Sequence, residues 1–167
     1  PLTVKAQMQC NPSIQWVEKG LSGKAFDAAS WCETIIELEV DAVTGQVKPL
    51  TIWMAVDAGR IINKPIAESS LRAQAINALR LCFLDDVIPE TLDSSSYIAK
   101  KRLPFNEIPD IVIEFMDSDR TSALGIGELP FAAIPSACCG ALSQALGLDL
   151  PSIPASPHDI MRAWEAP

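Results

Sequence analysis

The hexapeptide Gly125-Ile126-Gly127-Glu128-Leu129-Pro130 is the stretch whose residue types and spacing could do chemistry. Two glycines let the backbone approach a ligand without a Cβ in the way and take conformations that other residues avoid. The acid that follows stands just before Pro130, and proline favours the first turn of a helix. The positive end of a helix dipole favours a carboxylate there, so Glu128 can stay ionised and act as a general base. The same residues also describe a tight turn closed by a capping glutamate, and the hexapeptide alone does not choose between the two.

Few other residues compete for a chemical role. The 5 cysteines, Cys10, Cys32, Cys82, Cys138 and Cys139, are odd in number and contain no CxxC. They form neither a disulfide framework nor a zinc site, and reduced thiols in a cytosolic setting are expected. Cys138-Cys139 could be a redox pair, but adjacent residues on a helix point in different directions, so small buried side chains are expected instead. The single histidine, His158, follows Ser156-Pro157 and reads as a surface residue at a helix start. Arg120 precedes Glu128 in the same loop and is a secondary candidate for the site. Asp57 and Asn63 are expected to brace their loop through side-chain-to-backbone hydrogen bonds. Trp16, Trp31, Trp53 and Trp164 are spread out and are expected in core or interface packing rather than around a pocket.

The elements that must position Glu128 follow from the hydrophobic pattern. Residues 2–9 alternate like a half-exposed strand, and residues 10–26, with Pro12, Gly20 and Gly23, read as irregular. Residues 34–40 form a clear strand, with Glu37 and Glu39 on one face and Ile36, Leu38 and Val40 on the other. Asp41 to Gly45 supplies turn chemistry, and a return strand over 46–56 completes an antiparallel hairpin, with an edge or a bulge at Pro49. After a loop over 57–65, Leu71, Ala75, Ala78, Leu79, Cys82 and Phe83 make one apolar stripe of a helix over 67–84. A long connection over 85–109 contains prolines and serines. A strand over 110–116 and a loop over 117–128 lead to a short turn and a helix over 135–146, stopped by Gly147. Ser156-Pro157-His158-Asp159 caps a final short helix. Strands and helices mix without strict alternation, so the fold class is α+β: an antiparallel or mixed sheet with helices packed on it, in a single domain over 1–167.

Bulk properties narrow the partners. The net charge of −8 argues against nucleic acid, which needs clustered Lys and Arg, and the only basic cluster, Lys100-Lys101-Arg102, reads as a solvated loop. No apolar run is expected to be long enough to span a membrane. The chain starts at Pro1 and reads as a piece of something longer. A targeting segment can lie upstream, so the periplasm stays open beside the cytosol.

Several segments together resemble the molybdopterin-binding large subunit of the xanthine dehydrogenase/aldehyde oxidase family. The run Glu37-Leu-Glu-Val-Asp41 with Thr44-Gly45 and Val47 is followed by Asp57-Ala-Gly59-Arg-Ile-Ile-Asn63-Lys-Pro65, then by Arg102-Leu-Pro104-Phe-Asn-Glu107-Ile-Pro109-Asp-Ile111. Gly125-Ile126-Gly127-Glu128 falls where that family keeps its active-site glutamate, and an Ala-rich helix and a short terminal helix follow in family order. The resemblance covers residues 30 to 165. It implies a C-terminal portion of a molybdenum hydroxylase, which oxidises an aldehyde or an N-heterocycle such as a purine with water-derived oxygen. It also implies Glu128 as the catalytic base, Gly125, Ile126 and Gly127 against a molybdopterin cofactor, and no side chain of this chain ligating the metal. The implied partners are the rest of the large subunit, iron–sulphur and FAD subunits, and a small-molecule substrate, with no nucleic acid and no membrane.

One departure favours an alternative from a different class. The family opens the helix near 67 with paired glycines and a Gln, whereas this chain reads Glu68-Ser-Ser-Leu-Arg-Ala-Gln74. A non-catalytic domain of the same fold, completing another subunit, would tolerate that change. The family's glycine-rich pterin-gripping segments and iron–sulphur ligands are not in this sequence. The purified chain is therefore expected to carry no stoichiometric molybdenum and to show no turnover. Elemental analysis checks this, and one molybdenum per chain would refute it.

Overall fold

A computed structural model describes residues 3–7, 15–26, 28–83, 105–148 and 153–165. The alternating start forms no strand over residues 3–7, where every residue is exposed. Alternation stabilises a strand only where a neighbour pairs with it, and none does among the described residues. Within 10–26, read as irregular, a small antiparallel pair forms instead: β1 (Gln15–Val17) with β2 (Ser22–Lys24). Such short, wholly exposed strands leave no alternating pattern in a sequence.

The main sheet grows from the expected hairpin. β3 (Trp31–Val40) starts at Trp31 rather than at residue 34, and turns Glu37 and Glu39 outward and Ile36, Leu38 and Val40 inward. Its turn is closed by Asp41, whose carboxylate accepts the Val43 N–H at 2.8 Å and the Thr44 N–H at 3.1 Å. Those donors, Val43 first, hold the Asp41 carboxyl below its ordinary range. Gly45 takes φ +69, and a Cβ there would meet the Pro157 carbonyl oxygen at 2.5 Å. β4 (Val47–Asp57) then returns antiparallel to β3. The bulge expected near Pro49 is present: Glu37 pairs with Thr51 while Leu38 pairs with Pro49. The next strand, β5 (Asp110–Phe115), joins β4 in parallel and begins its pairing at Thr51, so the missing proline N–H breaks no ladder bond there. The order β3-β4-β5 makes a mixed three-stranded sheet.

Helices cover one face of it. α1 (Lys64–Phe83) begins earlier than residue 67 because Asn63 Oδ1 accepts the Ile66 N–H at 3.2 Å and Pro65 fits the first turn. Its stripe of Leu71, Ala75, Ala78, Leu79 and Cys82 is fully buried. The connection after α1 is described only from residue 105, where a 3₁₀ turn (Phe105–Glu107) precedes β5. Its earlier part, with Lys100, Lys101 and Arg102, lies outside the described residues, as does Cys10.

The separate turn expected before Pro135 does not exist. α2 (Leu129–Leu146) is one continuous helix with Pro130 in its first turn and Pro135 inside it. Pro135 cannot donate to the Phe131 carbonyl, a loss of one bond near the helix start. Burial of Ile134, Cys138, Leu142 and Leu146 along one face outweighs it. Contrary to the sequence reading, α2 is long and apolar enough to cross a membrane by length and composition. Here its stripe packs into the core against α1 and β3. Gly147 ends it at φ 69, ψ 22, donating to the Ser143 carbonyl at 2.9 Å.

α3 (Pro157–Glu165) starts with the expected cap. The Asp159 N–H donates to Ser156 Oγ at 3.2 Å, and the Ser156 N–H donates to Asp159 Oδ2 at 3.3 Å. The Ser156 hydroxyl is the main cause holding the Asp159 carboxyl below its ordinary range. Ile160 packs with Leu142, Leu146 and Ala155 against Leu38, Val40 and Val47, while Ile52, Met54, Val56 and Ile111 form the sheet's side of the larger core. The fold is α+β, a mixed sheet with helices on its inner face.

Core truncations test this packing. Leu79→Ala and Leu142→Ala are each expected to cost about 2–5 kcal/mol in urea unfolding, while Glu39→Ala stays within about 0.5 kcal/mol. Equal effects at all three sites would contradict the assigned core.

Candidate functional site

Glu128 is positioned by two loops laced together through their backbones. β4 ends at Asp57, whose Oδ1 accepts the Gly59 N–H at 3.1 Å, so the bracing expected of Asp57 is present, as it is for Asn63. The Met116 N–H donates to the Val56 carbonyl at 2.9 Å, the Leu124 N–H to Ala58 at 3.0 Å, and the Arg60 N–H to Ser122 at 3.1 Å. Gly59 forms an antiparallel bridge with Ala123. Gly59 is buried at φ +62, and a Cβ there would run into the Ser122 carbonyl. Glycine is required at this crossing for both reasons.

Beyond the crossing, the Ser30 hydroxyl donates to the Gly125 carbonyl at 2.5 Å, and the Ile126 side chain packs against the larger core. The chain then reaches Glu128, the residue before the first turn of α2, with φ −116 and ψ 3. Its side chain is exposed and makes no capping hydrogen bond. Placement at a helix entrance is therefore as the sequence indicates, while the capping role is not taken up. The exposed side chain stands open to solvent at the start of α2.

The glycines serve space rather than conformation. Neither Gly125 nor Gly127 is among the positive-φ residues, and a Cβ at either would meet nothing within 4 Å among the described residues. The expectation of unusual backbone conformations there is corrected, and free approach from outside is what remains. That open edge lies beside a Glu128 carboxylate that makes no capping hydrogen bond. Among the described residues no group of His, Cys, Asp and Glu could hold a metal ion by itself.

Other candidates resolve plainly. His158 is on the surface, 4.0 Å from Asp159 Oδ1. Arg120 lies beside Gly59, and its N–H donates to Ser118 Oγ at 3.4 Å. Cys32, Cys82, Cys138 and Cys139 are free thiols, and Cys138 points into the core. Its contact with Cys82, then burial, pushes the Cys138 thiol up, away from the reactive thiolate. Of the core or interface packing expected for the tryptophans, the core alternative is not taken up: Trp16, Trp31, Trp53 and Trp164 are all exposed, Trp31 and Trp53 because they face outward from the sheet. Sequence reasoning missed Ser30 and the pairing of residues 58–60 with 122–124, which no local motif signals.

Comparison with known proteins agrees with this architecture. The molybdopterin cofactor-binding domain family matches residues 2–85. A membrane-bound aldehyde dehydrogenase (pyrroloquinoline-quinone) of Gluconacetobacter polyoxogenes is 23% identical over 149 residues, covering 86% of this chain and 19% of its own. An aldehyde oxidoreductase of Megalodesulfovibrio gigas is 25% identical over 150 residues, covering 86% of this chain and 16% of its own. Quinoline 2-oxidoreductase of Pseudomonas putida 86 has the same fold, with a TM-score of 0.70, 24% identity, and coverage of 78% of this chain and 18% of its own. The chain thus spans under a fifth of the length of these relatives.

The crossing at Gly59 can be tested against the open glycines. Gly59→Ala is expected to lower stability by at least about 1–2 kcal/mol from the left-handed backbone alone, and by more from the Ser122 collision. Gly125→Ala and Gly127→Ala are expected to leave the thermal midpoint nearly unchanged. Similar midpoints for all three variants would contradict the crossing.

Proposed function

The chain belongs to the molybdopterin cofactor-binding domain family, and we propose that it is the C-terminal piece of the large subunit of a molybdenum hydroxylase of the xanthine dehydrogenase/aldehyde oxidase type. The carrying observation is Glu128, exposed at the start of α2, free of capping duty, and set on a loop laced to the end of β4. Relatives that are named for oxidising an aldehyde and a quinoline support an aldehyde or an N-heterocycle as substrate class.

In this reading Gly125, Ile126 and Gly127 form the part of the chain nearest the cofactor. The glycines leave room for it, and Ile126, its side chain committed to the core, contributes through its main chain and fixes the loop's height. When bound, the molybdenum cofactor supplies the activated water-derived oxygen and accepts the two electrons removed from the substrate. Glu128, exposed at the start of α2 and not used as a cap, would accept a proton at one of its Oε atoms. The partners are the remainder of the large subunit and the iron–sulphur and FAD-carrying units.

A second reading, a non-catalytic domain that completes another subunit, is favoured by one observation. α1 runs unbroken through Ser69, Ser70 and Gln74, where the resemblance calls for paired glycines. The two readings separate at Glu128. In the assembled enzyme, Glu128→Gln is expected to leave molybdenum content nearly unchanged and to cut kcat by about 10²–10⁴-fold, the range for loss of a general base. Unchanged turnover would favour the second reading, and parallel loss of metal and turnover would make Glu128 structural.

A further inference from the structure

The outer face of the sheet carries a row of apolar side chains in register. Ile35, Trp53 and Val112, one from each strand, pair directly across the ladder and are 64%, 40% and 48% exposed. Cross-strand pairing brings such side chains into contact, so they form one continuous surface rather than three isolated residues. Acids border it on both sides. Glu37 and Asp110 flank Thr51 in one neighbouring row, and Glu33 and Glu114 flank Ala55 in the other. All four acids are exposed, and no basic residue stands in these three rows.

An exposed apolar patch of this kind marks an interaction surface, and tryptophan is the residue type most enriched where interface energy concentrates. The charge pattern selects the occupant. Nucleic acid and anionic lipid are repelled by the acids. A second copy of this face would set acid against acid, a like-charge arrangement that costs binding free energy. A polypeptide with an apolar centre and a Lys/Arg rim satisfies both features. The lengths point the same way, because the relatives place this segment within chains more than five times as long.

We infer that the β3-β4-β5 outer face docks, through Trp53 and its row, onto an apolar socket rimmed by basic residues on the remainder of the molybdenum enzyme. This rests on the proposed function and adds the surface by which the piece is held. The sheet then has covered faces on both sides, α1, α2 and α3 inside and the partner outside.

Hydroxyl-radical footprinting read by mass spectrometry tests it on the purified holoenzyme and on this chain alone. Ile35, Trp53 and Val112 are expected to lose at least about tenfold in reactivity on assembly. Trp53→Lys is expected to retain the chain's circular dichroism and to lose assembly, while Val43→Lys, at an 84% exposed turn residue, retains both. Unchanged reactivity of the row in the holoenzyme overturns the inference, as do zero-length crosslinks from Glu33 or Glu37 that end on a second copy of this chain. Molybdenum and turnover measured on the same samples keep the two proposals apart. An active enzyme with a reactive face removes the docking inference alone, and a protected face in an assembly without molybdenum removes the proposed function alone.

Discussion

The backbone hydrogen bonds that lace residues 58–60 to 122–124 are the constraint on which the candidate site depends. Gly59 makes them possible, because its positive φ and missing Cβ let the two loops cross at bonding distance. One loop is the direct continuation of β4, the central strand, and the other leads into α2. A carboxylate on an otherwise free surface loop would sample many positions. Glu128 instead hangs between a laced crossing, a Ser30 hydroxyl on the Gly125 carbonyl, an Ile126 side chain in the core, and the first turn of a helix. Pre-positioning of this kind lowers the ordering cost at the moment a reaction needs the group.

Much of the framework was legible in the sequence because the signals are local. Alternation over β3, the Asp41–Gly45 turn, the bulge at Pro49, the cap at Ser156 and the stop at Gly147 each involve residues a few positions apart, and each is found in the structure. Glu128 at a helix entrance was legible for the same reason. What failed was non-local. The Ser30–Gly125 bond joins residues 95 apart, and no pattern near either predicts it. Pro135 reads as a helix start by propensity, but burial of the α2 face carries the helix back to Leu129. The tryptophans read as core or interface residues without a choice between the two, and strand parity turns Trp31 and Trp53 outward.

Two faces of the same sheet therefore carry different duties. Inward, Ile52, Met54 and Val56 on β4 anchor the helices and so fix the start of α2. Outward, the Ile35-Trp53-Val112 row stays uncommitted to the chain's own core. In the proposed reading, a chain that spans under a fifth of its relatives meets both requirements this way, with one face holding the site loop and the other left for the rest of the enzyme.

The central claim is that this crossing delivers a free carboxylate to a cofactor held mainly by other polypeptide. A structure of the assembled enzyme with its molybdopterin bound measures it most directly, through the distance from the Glu128 Oε atoms to the substrate-facing side of the metal. The expected result is hydrogen-bond reach, about 2.6–3.2 Å directly or through one water. A Glu128 carboxylate locked in an ion pair, or separated from the cofactor by intervening protein, would contradict it.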